Sequence, residues 1–159
     1  MARRGTWLIV ITLVISLILQ VVPVPFEWRG FRPELVLLVL FYWVLALPQR
    51  IGVITAGLVG LSIDFLDGFA IGAAGAGASI GSLIILLNYQ RIRQFDSLQQ
   101  TFLIGLVLAI VLLVTQRLHG LLGYTADGLE FLYSVPISMV LWIPIRNFLR
   151  GYRRYYEIA

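Results

Sequence analysis

The sequence predicts an all-α integral membrane protein with six transmembrane helices and both termini in the cytoplasm. Composition is the first reason. Of 159 residues, 60% are hydrophobic and 13% are charged, with a mean hydropathy of +0.93; a soluble domain carries about 25% charge. The second reason is pattern: apolar runs recur along the chain, broken by short polar stretches rich in Pro, Gly and Arg. The third is the basic residues, all twelve of them Arg, which collect at alternate breaks, as the positive-inside rule requires.

Span 1 covers about residues 7–22, after Arg3 and Arg4. A charged start before an apolar run suits a signal peptide, but this run ends in Val22-Pro23-Val24-Pro25 with no small-residue cleavage site. It reads as an uncleaved anchor with Trp7 at the interface. A short polar connection, Phe26 to Arg32, follows. Pro33 and Glu34 open span 2, because proline suits the first helical position and an acid suits the positive end of the helix dipole. Span 2 is short, about 33–47, and stops at Pro48. At about 1.5 Å per residue it falls below the roughly 30 Å hydrocarbon core. Its Tyr42 and Trp43 read as belt aromatics at the interface. Gln49 and Arg50 form a tight turn.

Span 3, about 51–66, reaches Asp67-Gly68, a strong turn pair. Span 4 is placed at 72–89, with Gly72 to Gly77 open as loop or helix. Span 5 is placed at 98–115. After it, Leu118, Leu121 and Leu122 suggest a short interfacial helix within a polar connection containing His119, Tyr124 and Asp127. Span 6, about 129–149, holds Pro136 and Pro144, which predict kinks. An interfacial tail of Arg150, Arg153 and Arg154 with three tyrosines ends the chain.

Six spans put Arg3, Arg4, Arg50, Arg91, Arg93, Arg146, Arg150, Arg153 and Arg154 on one side, and only Arg29, Arg32 and Arg117 on the other. Five spans, with span 2 re-entrant, would strand one terminal arginine cluster outside. The positive side is the cytoplasm. The connections are too short for a soluble domain, so the whole chain, 1–159, is one transmembrane domain.

The densest feature is Gly57 to Ser82. Gly57, Gly60, Asp64 and Asp67/Gly68 recur at three- and four-residue spacing and share one helix face. Gly72 lies at the turn, and Gly77 with Gly81 makes a small-xxx-small pair on span 4. Small residues let helix backbones approach closely in a bilayer, so spans 3 and 4 are expected to pack on each other. The sharper alternative is a groove for a partner helix or a lipid. A carboxylate inside a membrane protein is costly and defaults to function, which singles out Asp64. Arg32 and Arg117, on the same side, are its expected ion-pair partners, and Asp67 reads as a cap or interfacial anchor.

Several classes are excluded. There is no cysteine and one histidine, so no metal ligand set is spelled out. No nucleotide loop, nucleophile elbow or zincin motif occurs. The arginines follow membrane topology rather than forming a nucleic-acid face. No cofactor is expected. Asp64 and Asp67 lack the second polar cluster that acid–base chemistry on a lipid carrier would need. A scaffold and a small-molecule or lipid-binding transporter subunit remain.

FRPELVLLVLFYWVLALPQR, Phe31 to Arg50, resembles the second-span signature of the rod shape-determining protein MreD family of Gram-negative bacteria. The pattern Gly57, Gly60, Asp64, Gly68, Gly72 extends the likeness, which covers essentially the whole chain. The resemblance implies a non-enzymatic inner-membrane subunit of the elongasome, which supports side-wall peptidoglycan synthesis and rod shape. It implies MreC as direct partner, with RodA, penicillin-binding protein 2 and MreB as complex members. It also implies a fold similar to the substrate-binding subunits of energy-coupling factor transporters. On this reading Arg32, Pro33, Tyr42, Pro48 and Arg50 of the signature join the Gly and Asp residues as partner or packing candidates, with the contact expected in spans 2 to 4.

Overall fold

The computed structural model describes residues 5–69, 71–124 and 128–157. Arg3 and Arg4, which enter the topology argument, and Asp127 of the polar connection lie outside them. The described residues form six α-helices and two short 3-10 turns, with no strand: α1 (Thr6–Val21), α2 (Leu35–Ala46), α3 (Val53–Asp67), α4 (Ala73–Gln94), α5 (Ser97–Leu121) and α6 (Ser134–Tyr155). The 3-10 turns, Phe26–Phe31 and Glu130–Tyr133, precede α2 and α6. Among the described residues two segments are long and apolar enough to cross a membrane, Ser97–Leu121 and Phe131–Tyr155. α1 is apolar but shorter.

Helix α2 is the axis. Ten of its twelve residues, Val36 to Leu45, are buried. A helix apolar on every side belongs inside other helices. Here α1, α4 and α6 surround it. Tyr42 and Trp43 are therefore core residues and not interfacial belt aromatics; the Trp43 Nε1–H donates to Thr12 Oγ1 of α1 at 2.9 Å. The burial also removes α2 from any partner-facing surface.

At about 18 Å, α2 ends inside the bundle at both ends, and its orphan backbone groups need partners there. Neighbouring side chains supply them. At the start, Gln20 of α1 accepts the Val36 N–H at 3.1 Å and donates to Glu34 Oε2 at 3.3 Å, while Ser138 of α6 accepts the Glu34 N–H at 3.0 Å. At the end, Arg93 of α4 donates Nε to the Leu45 carbonyl at 2.9 Å and Nη2 to Ala46 at 2.6 Å. Pro33 falls one residue outside the Glu34 N-cap and not at the first helical position. Pro48 to Arg50 makes the expected turn, with the Arg50 N–H on the Leu47 carbonyl.

The glycines divide between two interfaces. Gly60 sits so close to α4 that a Cβ there would meet the Ala74 carbonyl oxygen at 2.5 Å and the Gly75 Cα at 2.6 Å. Gly57 faces Ser79 of α4. Those two, with Gly75, make the expected α3–α4 packing. Gly77 and Gly81 do not. They face Val111 and Thr115 of α5 and Phe41 of α2, because helical turns from Gly75 to Gly81 carry the small stripe round to the next neighbour. Gly72 to Gly77 resolves as the end of the turn and the first turn of α4.

Two further expectations change. Leu118 and Leu121 belong to the continuous α5, with Leu122 as its C-cap, rather than to a separate interfacial helix. Pro136 lies in the first turn of α6, where its missing N–H has no helical partner; only Pro144 is inside the helix.

The helices sort polar groups to opposite ends. One end gathers the C-termini of α2, α4 and α6 and the N-terminus of α5 around Arg93, Arg146, Arg150 and Arg153. Trp7 at the start of α1 meets Tyr156 after α6, ring centroids 6.2 Å apart, which places it at that same end. The opposite end carries Glu34, Asp64, Asp67 and His119.

Gln20→Leu should lower stability by about 1–3 kcal/mol, the cost of a buried donor left unpaired, read as a lower melting temperature in detergent. Gly60→Ala should destabilise by about 1–3 kcal/mol or more through overpacking. Gly120→Ala, in α5 with no atom within 4 Å of the added Cβ, should be neutral or stabilise by up to about 1 kcal/mol.

Candidate functional site

The acidic end is built on the α3–α4 hairpin. α3 stops because Gly68 takes the left-handed conformation, φ +72°, which costs glycine nothing. Its N–H and that of Phe69 both turn back to the Asp64 carbonyl. Gly72, at φ +121°, then aims the chain into α4. The turn places the start of α4 directly over the Asp64 side chain, one turn before the end of α3.

Asp64 is 1% exposed. Its Oδ2 accepts the N–H of Gly72 at 2.9 Å, of Ala74 at 3.0 Å and of Gly75 at 3.3 Å; Oδ1 lies 3.1 Å from the Ala74 nitrogen. This is an anion seated on a helix N-terminus, where orphan donors and the dipole both favour negative charge. Among the described residues the basic side chain beside it is His119 of α5, with Nε2 3.6 Å from Oδ1. That is ion-pair range but too long for a hydrogen bond. Arg32 and Arg117 are not its partners. Among the described residues His119 alone comes within ion-pair distance of Asp64, and the buried Arg32 Nη2 has no hydrogen-bond partner.

The cap is thus Asp64 and not Asp67, and the Asp64 oxygens are taken up by backbone donors. Asp67 is exposed at the end of α3. A carboxylate so occupied is poorly suited to proton transfer, since its lone pairs already hold fixed donors.

Beside Asp64 lies a cavity of about 300 Å³ lined by Glu34, Asp64, Asp67, Thr115, His119 and Tyr124, among others. Phe69, His119 and Tyr124 form an aromatic group beside it, with Phe69 4.8 Å from the imidazole centroid. No group of three or more His, Asp or Glu among the described residues is arranged to hold a metal.

Of the residues singled out in the sequence, Asp64, Asp67, Gly68 and Gly72 meet at this end. Gly57, Gly60, Gly77 and Gly81 lie along the hairpin as packing positions. Arg32 and Pro33 flank the start of α2. Tyr42, Pro48 and Arg50 are at or beyond the opposite end of that helix. Sequence reasoning missed Gln20, Arg93, Ser138 and His119 as structural partners. Gln20 and Ser138 do stand out as lone polar side chains in apolar runs, yet nothing local says which backbone group each meets.

The fold defines a class first: a helical bundle with polar groups gathered at its two ends and two helices consistent with membrane insertion. The comparisons narrow it. The family described as rod shape-determining protein MreD matches residues 1–152. The rod shape-determining protein MreD of Haemophilus influenzae is 31% identical over 127 residues, covering 73% of this chain and 78% of that protein. The chain belongs to the MreD family of rod shape-determining proteins. No solved structure matches it.

Asp64→Ala should destabilise strongly, by about 3 kcal/mol, since it leaves several buried donors unpaired. Asp64→Asn keeps one acceptor and should lose less. Asp67→Ala should stay within about 0.5 kcal/mol. Thermal unfolding of the three purified variants checks the order.

Proposed function

We propose that the protein is a non-enzymatic membrane scaffold of the elongasome that holds the transmembrane helix of MreC and so supports side-wall peptidoglycan synthesis. RodA, penicillin-binding protein 2 and MreB belong to the same assembly on this reading. The observation that carries it is where the polar chemistry goes. Asp64 caps α4, and Gln20, Ser138 and Arg93 cap α2. Much of what the helices turn outward is apolar, including Ile54, Leu58, Phe65, Leu87, Phe102 and Val140.

All six helices cross the inner membrane on this reading, with both termini and the arginine-rich end in the cytoplasm. Helices shorter than the bilayer are tolerated because their neighbours satisfy their ends. The uneven distribution of arginine between the two ends supports the orientation. A chain without cysteine suits a labelling test: cysteines placed at Trp28 and at Gln49 should react with a membrane-impermeant maleimide in spheroplasts only at Trp28. Labelling at Gln49 alone would reverse the orientation.

On this reading the seat for MreC is the outer face of α3. Ile54 and Leu58 are 82% and 60% exposed on α3. This keeps the contact in the region the family resemblance suggests, without the buried α2. A photo-crosslinking residue at Leu58 should capture co-expressed MreC, while one at Phe102 on α5 should not. If MreC fails to co-purify with the intact chain, the scaffold reading fails.

The acidic-end cavity favours a second reading, a small-molecule or lipid-binding subunit of a transporter. Native mass spectrometry separates the two. A retained solute supports the transporter subunit, and an empty protein with MreC bound supports the scaffold.

A further inference from the structure

Another space lies at the arginine-rich end. A cavity of about 690 Å³ opens between the C-terminal ends of α2, α4 and α6 and the start of α5. Four guanidinium groups line it, from Arg93, Arg146, Arg150 and Arg153, against one carboxylate, Asp96. The last three arginines are spaced i, i+4 and i+7, so one face of α6 points them the same way. Among the described residues none of the four has a carboxylate within ion-pair distance. Four like charges around one space repel each other unless an anion joins them.

Two of the four are fixed in place by the fold. Arg93 holds the end of α2. Arg146 donates Nη1 to Gln100 Oε1 at 2.6 Å and Nη2 to Ser97 Oγ at 2.7 Å. Those bonds orient its guanidinium but leave Nε buried without a partner. A buried donor of a charged group is costly to leave unpaired. Arg150 and Arg153, one and two turns on, complete the wall.

We infer that this cavity binds the phosphate-bearing headgroup of an anionic membrane lipid. Guanidinium forks match phosphate oxygens in pairs, and basic pockets between transmembrane helices are suited to such headgroups. The space is far larger than one phosphate, and Leu45, Leu47 and Phe95 share its lining with the arginines. An acyl-glycerol backbone can use that apolar part; a free phosphate ion or an acidic peptide segment has no use for it. The site is separate from the acidic-end cavity and from the outer face of α3. It holds whichever end of the bundle faces the cytoplasm, so its failure leaves the scaffold reading untouched.

The test uses the full-length protein in detergent, with thermal unfolding and native mass spectrometry after addition of phosphatidylglycerol, cardiolipin, phosphatidylethanolamine or inorganic phosphate. The two anionic lipids should raise the melting temperature saturably and remain bound in the gas phase; the other two should do neither. Arg150→Gln with Arg153→Gln should weaken that binding tenfold or more. The matching pair of Lys substitutions should keep most of it, and Arg154→Gln, outside the cavity, should change nothing. If the double Gln variant does not fold, the wild-type salt dependence decides: affinity that falls steeply with salt supports the site, and affinity indifferent to salt overturns it. Equal binding of phosphatidylethanolamine, saturation by inorganic phosphate alone, or an Arg150/Arg153-dependent site for poly-glutamate in place of lipid would each overturn the inference.

Discussion

A helix that ends inside an apolar medium must have its last backbone groups satisfied by something other than water. This constraint organises the molecule. In a membrane, burial of apolar side chains barely distinguishes protein neighbours from lipid, so the fold cannot rest on hydrophobicity alone. It rests on close backbone approach and on internally satisfied polar groups. α2 is short, and side chains from three other helices close its ends. α4 begins beneath the turn from α3, and Asp64 closes it.

One consequence is that the costly polar residues act as ties between helices. Gln20 joins α1 to α2, Ser138 joins α6 to α2, Arg93 joins α4 to α2 and Asp64 joins α3 to α4. The glycine stripes work with these ties, because hydrogen bonds of about 3 Å between helices require backbones that come near. A framework tied in this way presents a stable outer surface, as the proposed scaffold role requires.

The sequence carried much of this, unevenly. Six helices, the Asp67-Gly68 turn and the α3–α4 packing follow from apolar runs, one turn dipeptide and glycine spacing, which are local signals. The fate of Tyr42 and Trp43 was not local. Aromatic residues near the end of an apolar run suit a membrane interface equally well, and only the arrangement of α1, α4 and α6 around α2 makes them core. Asp64 shows the same limit. Its spacing gave the helix face, but charge complementarity pointed to Arg32 or Arg117. The partner is instead a row of backbone N–H groups, which no side-chain pattern records. His119 is 55 residues away in sequence and meets Asp64 only because α5 packs along α4.

Amide exchange at single residues, measured by NMR in lipid nanodiscs, tests the central constraint most directly. First-turn amides such as Val36 in α2 and Ala74 and Gly75 in α4 have no intrahelical partner and ordinarily exchange early. If neighbouring side chains hold them as described, they will be protected to a degree comparable with mid-helix amides such as Leu40. Exchange at these three positions as fast as at the chain ends would contradict the account.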